Sequence, residues 1–171
     1  VCVVASLACG WAPGLLHLVF GVGSALAYNV VLKSTAVSWL PYTIAFGTLP
    51  VVVYLSTGPG AAPPTWTVAV GALLGFGAHL VNVLPDLDDD DATGVRGFPH
   101  RLPRRAVAPI AAGALVLASV IGVVGSSSRF GWLALVVAMV LGVVACVGRS
   151  KTPFYAAIGI AAVDVVVLVT A

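Results

Sequence analysis

The feature that most constrains this chain is a succession of unbroken apolar runs, each about twenty residues long, separated by short clusters of Pro, Gly and charge. A helix needs about 20 apolar residues to cross the hydrocarbon core, whereas a barrel strand needs only about ten, with alternating polarity. The runs here are continuous, which selects helices. Composition agrees: 60% of the 171 residues are hydrophobic, only 8% are charged and the mean hydropathy is +1.12. A soluble domain would lack the polar surface to stay dispersed. In lipid, every backbone polar group must be satisfied within the chain. The expected fold class is therefore all-α, a polytopic transmembrane helix bundle.

Full spans are expected at about 15–32, 39–56, 65 to 82–85, 106–125, 130–147 and 153–170. The apolar stretch 1–9 is too short to cross and reads as the truncated end of another helix. Residues 1–171 form a single transmembrane domain on this reading. The start in apolar sequence, with no charged leader and no Met, is what a cut through a longer protein would give.

The charges test the map. If the spans alternate, Lys33, Arg96, Arg101, Arg104, Arg105, Arg149 and Lys151 fall on one side and only Arg129 on the other. That bias places the basic side in the cytoplasm. It predicts a multi-pass protein of the plasma membrane with the aspartate-rich loop cytoplasmic. Trp11, Trp39, Trp66 and Trp132 stand at span ends, where amphipathic rings sit at the headgroups. Cys2, Cys9 and Cys146 read as small buried hydrophobes. Gly71 and Gly75 form a G-x-x-x-G, first of all a packing signal. His17 and His79 read as interior residues satisfied locally, and Asp164 as either an intramembrane functional acid or a hydrogen-bonded packing residue.

The informative segment is 82–94, NVLPDLDDDDATG, in which five of the six acidic residues stand within six positions. Their mutual repulsion calls for a cation. If the helix continues past Pro85, Asn82, Asp86 and Asp90 share a face, with Asp89 nearby, while Asp88 points about 200° from Asp86. Such a stripe suits Mg²⁺, which takes one or two carboxylates and keeps its other positions for water and phosphate oxygens. Arg96, His100, Arg101, Arg104 and Arg105 follow, and Lys33 lies on the same side; they could pair with a diphosphate. A solvated loop whose arginines serve only as topology signals is the competing reading of the same residues.

At Asn82, Asp86, Asp90 and Gly94, followed by 95–102 (VRGFPHRL), the sequence resembles the second aspartate-rich motif of the UbiA superfamily of intramembrane prenyltransferases. The stretch from Tyr28-Asn29 through Lys33 to Trp39 and Tyr42 resembles that family's middle spans. The resemblance implies part of a nine-helix bundle, its C-terminal two-thirds, lacking the first aspartate-rich motif. It implies Mg²⁺-dependent transfer of a prenyl group from a prenyl diphosphate to an acceptor, commonly aromatic, in the bilayer. Asp86 and Asp90 would hold the metal and, with Lys33, carry the catalysis. Asn82, Tyr28, Arg96 and Arg101 would contact substrate. A chain lacking half the metal ligands would be inactive alone.

Two other classes compete. A transporter or channel subunit would use the acidic loop as a cation vestibule, but it should show charged or broken helices at mid-membrane in paired positions. Only Asp164 qualifies. A non-catalytic scaffold would tolerate loss of the Asp86/Asp90 spacing. Nucleic acid is not an expected partner, because the few basic residues are explained by topology.

Overall fold

The computed structural model describes residues 2–126, 131–149 and 151–170, with the side chains of Asp88 and Asp91 also outside the description. Arg129 and Phe130, which enter the topology and span readings above, lie outside the described residues. The chain folds into helices throughout these segments. α1 (Cys2–Ala8) leads into a first long span, Trp11–Val30, made of α2 (Trp11–Leu16), a π-helical turn (His17–Val22) and α3 (Gly23–Val30). There follow α4 (Leu40–Thr57), α5 (Thr65–Val83), the short α6 (Leu87–Thr93), α7 (Arg104–Ser126), α8 (Gly131–Val147) and α9 (Thr152–Thr170). Five helices are long and apolar enough to cross a membrane, and α8 is a shorter apolar helix of 17 residues.

The span boundaries expected from sequence hold to a few residues, with one instructive shift. The helix resumes at Trp11 rather than Leu15 because Cys9 and Gly10 alone make the break, Gly10 with φ +111°. Pro13 falls in the first turn of α2, where a missing N–H costs nothing. Pro85 does not end its helix either: the backbone stays right-handed at Val83, Leu84 and Leu87, tightened into a 3₁₀ turn over Leu84–Asp86.

α5 is the centre of the bundle. It packs along α4 on one side and α7 on another, with α9 also against it, and α8 packs on α7 and α9. The buried core joins Val70, Leu74 and Leu80 of α5 to Val107, Ala111 and Leu115 of α7, Ala138 of α8 and Ile160 of α9. Glycines let the backbones meet. A Cβ at Gly71 would stand 2.6 Å from the Phe46 carbonyl oxygen, and one at Gly75 would collide with the Tyr42 carbonyl. The G-x-x-x-G is thus the α4–α5 seam. A Cβ at Gly77 would meet the Leu115 side chain at 2.6 Å, on the α7 side.

Outward faces are apolar: Val30 is 78% exposed and Leu133 65%. That surface suits lipid and not water. The cysteines belong to it. Contrary to the sequence expectation of burial, Cys2, Cys9 and Cys146 are exposed and unpaired. In a bilayer an apolar thiol needs no protein cover. Inside, Asp164 is buried and bonded at 2.5 Å to Ser119 Oγ, tying α9 to α7. His17 bonds Ser6 at 2.8 Å, tying the first span to α1. Both residues behave as local packing partners.

The helix joins sort to two ends. The α3–α4 join touches the loop after α6, where a Cβ at Gly97 would stand 2.5 Å from the Lys33 carbonyl. A recess beside the α5 end is lined by Pro85, Arg104 and Lys151. The three basic joins therefore share one end of the bundle.

Gly75→Ala is expected to push α4 from α5 and destabilise the fold by about 1–3 kcal/mol. Gly113→Ala, with open space at its Cβ, should leave stability unchanged. Thermal unfolding in detergent checks the pair; equal effects would contradict the seam.

Candidate functional site

The site grows from the continuation of α5. Pro85 has no N–H to give the carbonyl four residues back, so the turn tightens to i→i+3 bonding and the helix then resumes as α6. The apolar residues of this run turn inward: Val81, Val83 and Leu87 are buried. Asn82 and Asp86 are exposed and Asp90 is half-buried. The run thus presents its polar side away from the core, as the four-residue spacing predicts. The side chain of Asp88, assigned to the opposite side from sequence, lies outside the described residues.

Gly94 ends α6. Its φ of +79° is left-handed, and the Val95 N–H bonds the Asp90 carbonyl at 2.9 Å, closing a six-residue Schellman turn. Thr93 Oγ1 also reaches the Asp89 and Asp90 carbonyls, at 3.0 and 3.1 Å. This is the physical reason for a glycine four positions after Asp90. The reversal sends the chain back over the bundle end. Gly97 packs on the Lys33 turn, the Phe98 N–H donates to Ser38 Oγ at 2.8 Å, and Pro99 is buried. The His100 side chain is 4% exposed, with Nε2 3.6 Å from Asp90 Oδ2. Neither of its ring nitrogens has a hydrogen-bond partner among the described residues.

A polar and aromatic cluster lies beneath this loop. The His79 Nε2–Ser38 Oγ distance is 3.0 Å. Tyr28 stands edge-on to Tyr42 and to His79, with centroids 5.2 and 5.7 Å apart. Asn82 Nδ2 donates a long bond, 3.5 Å, to the Tyr42 hydroxyl. A cavity of about 420 Å³ opens here, lined by Tyr28, Asn29, Pro41, Tyr42, Phe46 and Asn82 among others. Phe46 also lines an apolar groove of about 440 Å³ that runs toward the far end between α4, α5 and α9, past Leu49, Tyr54, Trp66, Leu74 and Leu168.

The structure thus joins several residues singled out from sequence. Tyr28 and Asn82 share a cavity, and the Lys33 turn carries the loop that bears Arg96 and Arg101. Asp86, Lys33, Arg96 and Arg101 lie exposed at the rim. Among the described residues no three His, Cys, Asp or Glu side chains form a ready cage for a metal. Four residues of the cluster were not assigned to the site from sequence. His79, three residues before Asn82, carried a helical-face signal; Tyr42 stood in the matched stretch; His100 stood among the basic residues. Ser38 carried no signal at all.

Gly94→Ala forces a side chain into the left-handed region, with no steric neighbour to add to the effect. It should weaken the α6 end by about 1 kcal/mol. Faster hydrogen exchange at the Val95 amide would register this; an unchanged rate would refute the capping role.

Comparison with known families gives one match. The UbiA prenyltransferase family model covers residues 1–159. No curated protein and no solved structure matches the chain. The matched region takes in the first span, the α4–α5 seam, the aspartate run with its capping glycine and the beginning of α9. The chain therefore belongs to the UbiA prenyltransferase family.

Proposed function

We propose that this chain takes part in Mg²⁺-dependent transfer of a prenyl group from a prenyl diphosphate to an aromatic acceptor within the membrane. The observation that carries the reading is one helical run with Asn82 and Asp86 exposed and Asp90 half-buried, followed by a return loop, bearing Arg96 and Arg101, whose Gly97 packs on the Lys33 turn. The donor set fits Mg²⁺: carboxylates at four-residue spacing can supply one or two ligands and leave the other positions for water and phosphate oxygens. Asp86 and Asp90 would hold the ion. Bound there, Mg²⁺ supplies charge neutralisation for the departing diphosphate.

The chain's own residues account for the rest. Lys33, Arg96 and Arg101 offer cations to the diphosphate oxygens as the carbon–oxygen bond breaks. Tyr28 and Tyr42 offer aromatic faces to the allylic cation that results. Asn82 and the Tyr42 hydroxyl offer hydrogen bonds to an acceptor in the cavity between them. The apolar groove beyond Phe46 suits a prenyl tail and keeps water from the cation. A new carbon–carbon bond to the ring then forms and the ring loses a proton. The charge bias supports a plasma-membrane protein with the aspartate end in the cytoplasm.

The test is diphosphate release from geranylgeranyl diphosphate by the full-length protein with a panel of aromatic acceptors. Release should require Mg²⁺ and fall by roughly 10²–10³ in Asp86→Ala and in Asp90→Ala. Neither release nor binding of any prenyl diphosphate would reject the proposal and favour a transporter or scaffold.

A further inference from the structure

Two buried polar residues distant from each other in sequence meet in the bundle, and neither is assigned a role above. Ser38 lies in the α3–α4 join and His79 in α5; they are 0% and 1% exposed. Ser38 Oγ lies 3.0 Å from His79 Nε2 and accepts the Phe98 N–H at 2.8 Å. One hydroxyl therefore bonds three segments: the turn that carries Lys33, the helix that carries Asn82 three residues after His79, and the loop that carries Arg96 and Arg101. The fit around it is tight. A Cβ at Gly97 would stand 2.5 Å from the Lys33 carbonyl oxygen and 2.8 Å from Ser38 Oγ. On the other side the His79 ring is held by Tyr28 and Tyr42.

An apolar contact would close this gap without the desolvation that a buried hydroxyl and imidazole require. What an apolar contact lacks is direction. A hydrogen-bonded hydroxyl fixes both distance and angle between the elements it joins, and here those elements carry every cation offered to the diphosphate.

We propose that Ser38 and His79 are positioning residues, which set the spacing between the Lys33 turn and the Arg96–Arg101 loop and thereby the affinity for the diphosphate of the prenyl donor. The inference rests on the prenyltransferase reading. It adds that donor affinity depends on two side chains that touch neither donor nor metal.

The test uses the full-length protein in lipid nanodiscs, with geranylgeranyl diphosphate and an accepted aromatic substrate. Ser38→Ala and His79→Leu each leave a buried partner unpaired, and should raise KM for geranylgeranyl diphosphate about tenfold. KM for the acceptor should stay near the parent value, while the unfolding temperature falls by no more than one lost buried hydrogen bond accounts for. Hydrogen exchange at the Phe98 amide should quicken in Ser38→Ala. His79→Gln, whose side-chain amide reaches the place of Nε2, should restore donor KM. A merely structural role would move unfolding temperature and leave donor KM alone, or raise both KM values together; either result overturns the proposal. Should one variant fail to fold, the other decides by the same readouts. A parent protein that takes neither geranylgeranyl diphosphate nor any longer prenyl diphosphate rejects the underlying prenyltransferase reading, whereas a parent that takes one with unchanged variants rejects the positioning role alone.

Discussion

Everything in this bundle depends on how closely α5 approaches α4 and α7. Lipid tails are as apolar as leucine, so association between membrane helices draws on contact between surfaces and not on escape from solvent. The approach must be close, and only glycine permits it at Gly71, Gly75 and Gly77. α5 is thereby fixed on two sides. Its C-terminal continuation inherits that rigidity, which is how a short acidic helix of seven residues holds a defined direction outside the core.

The bundle end is then assembled by return contacts. After the Schellman turn at Gly94 the chain comes back rather than running out into solvent, and Phe98, Pro99 and His100 settle against the bundle. The loop is polar in composition yet partly interior in position. Interior placement demands partners for its backbone, and Ser38 supplies one. The carboxylates stay toward the rim while the apolar residues between them anchor the run. Asp164 is the counterexample within the same chain: an acid deep in the bundle, held by Ser119 and joining α9 to α7.

Much of this was legible in the sequence because it depends on period and punctuation. The apolar runs located the spans, and the four-residue spacing of Asn82, Asp86 and Asp90 located the polar side of the run. Positions dependent on tertiary approach were not legible. Ser38 is one serine among several, and only the fold shows that a segment 60 residues later returns to it. The cysteines were misread for a related reason. Apolar character in a soluble chain implies burial, but in a lipid-solvated chain it fits either side of a helix wall. Gly10 marked a break correctly, yet nothing local distinguished two residues of break from five.

The π-helical turn at His17–Val22 has a consequence for Tyr28. Each hydrogen-bonded ring of that turn encloses one residue more than an α-helical ring. The segment acts as a phase shifter, rotating the wall of α3 relative to that of α2 without bending the axis through a proline. Deleting a single residue there would let the turn close to α-helical hydrogen bonding and leave Tyr28 and Asn29 on the cavity they line, whereas the same deletion within α3 ahead of Tyr28 would turn both off it. The tolerance of this span to deletion is therefore set by angular register and not by length: the π-helical turn can give up a residue, and the α-helical turns beside it cannot.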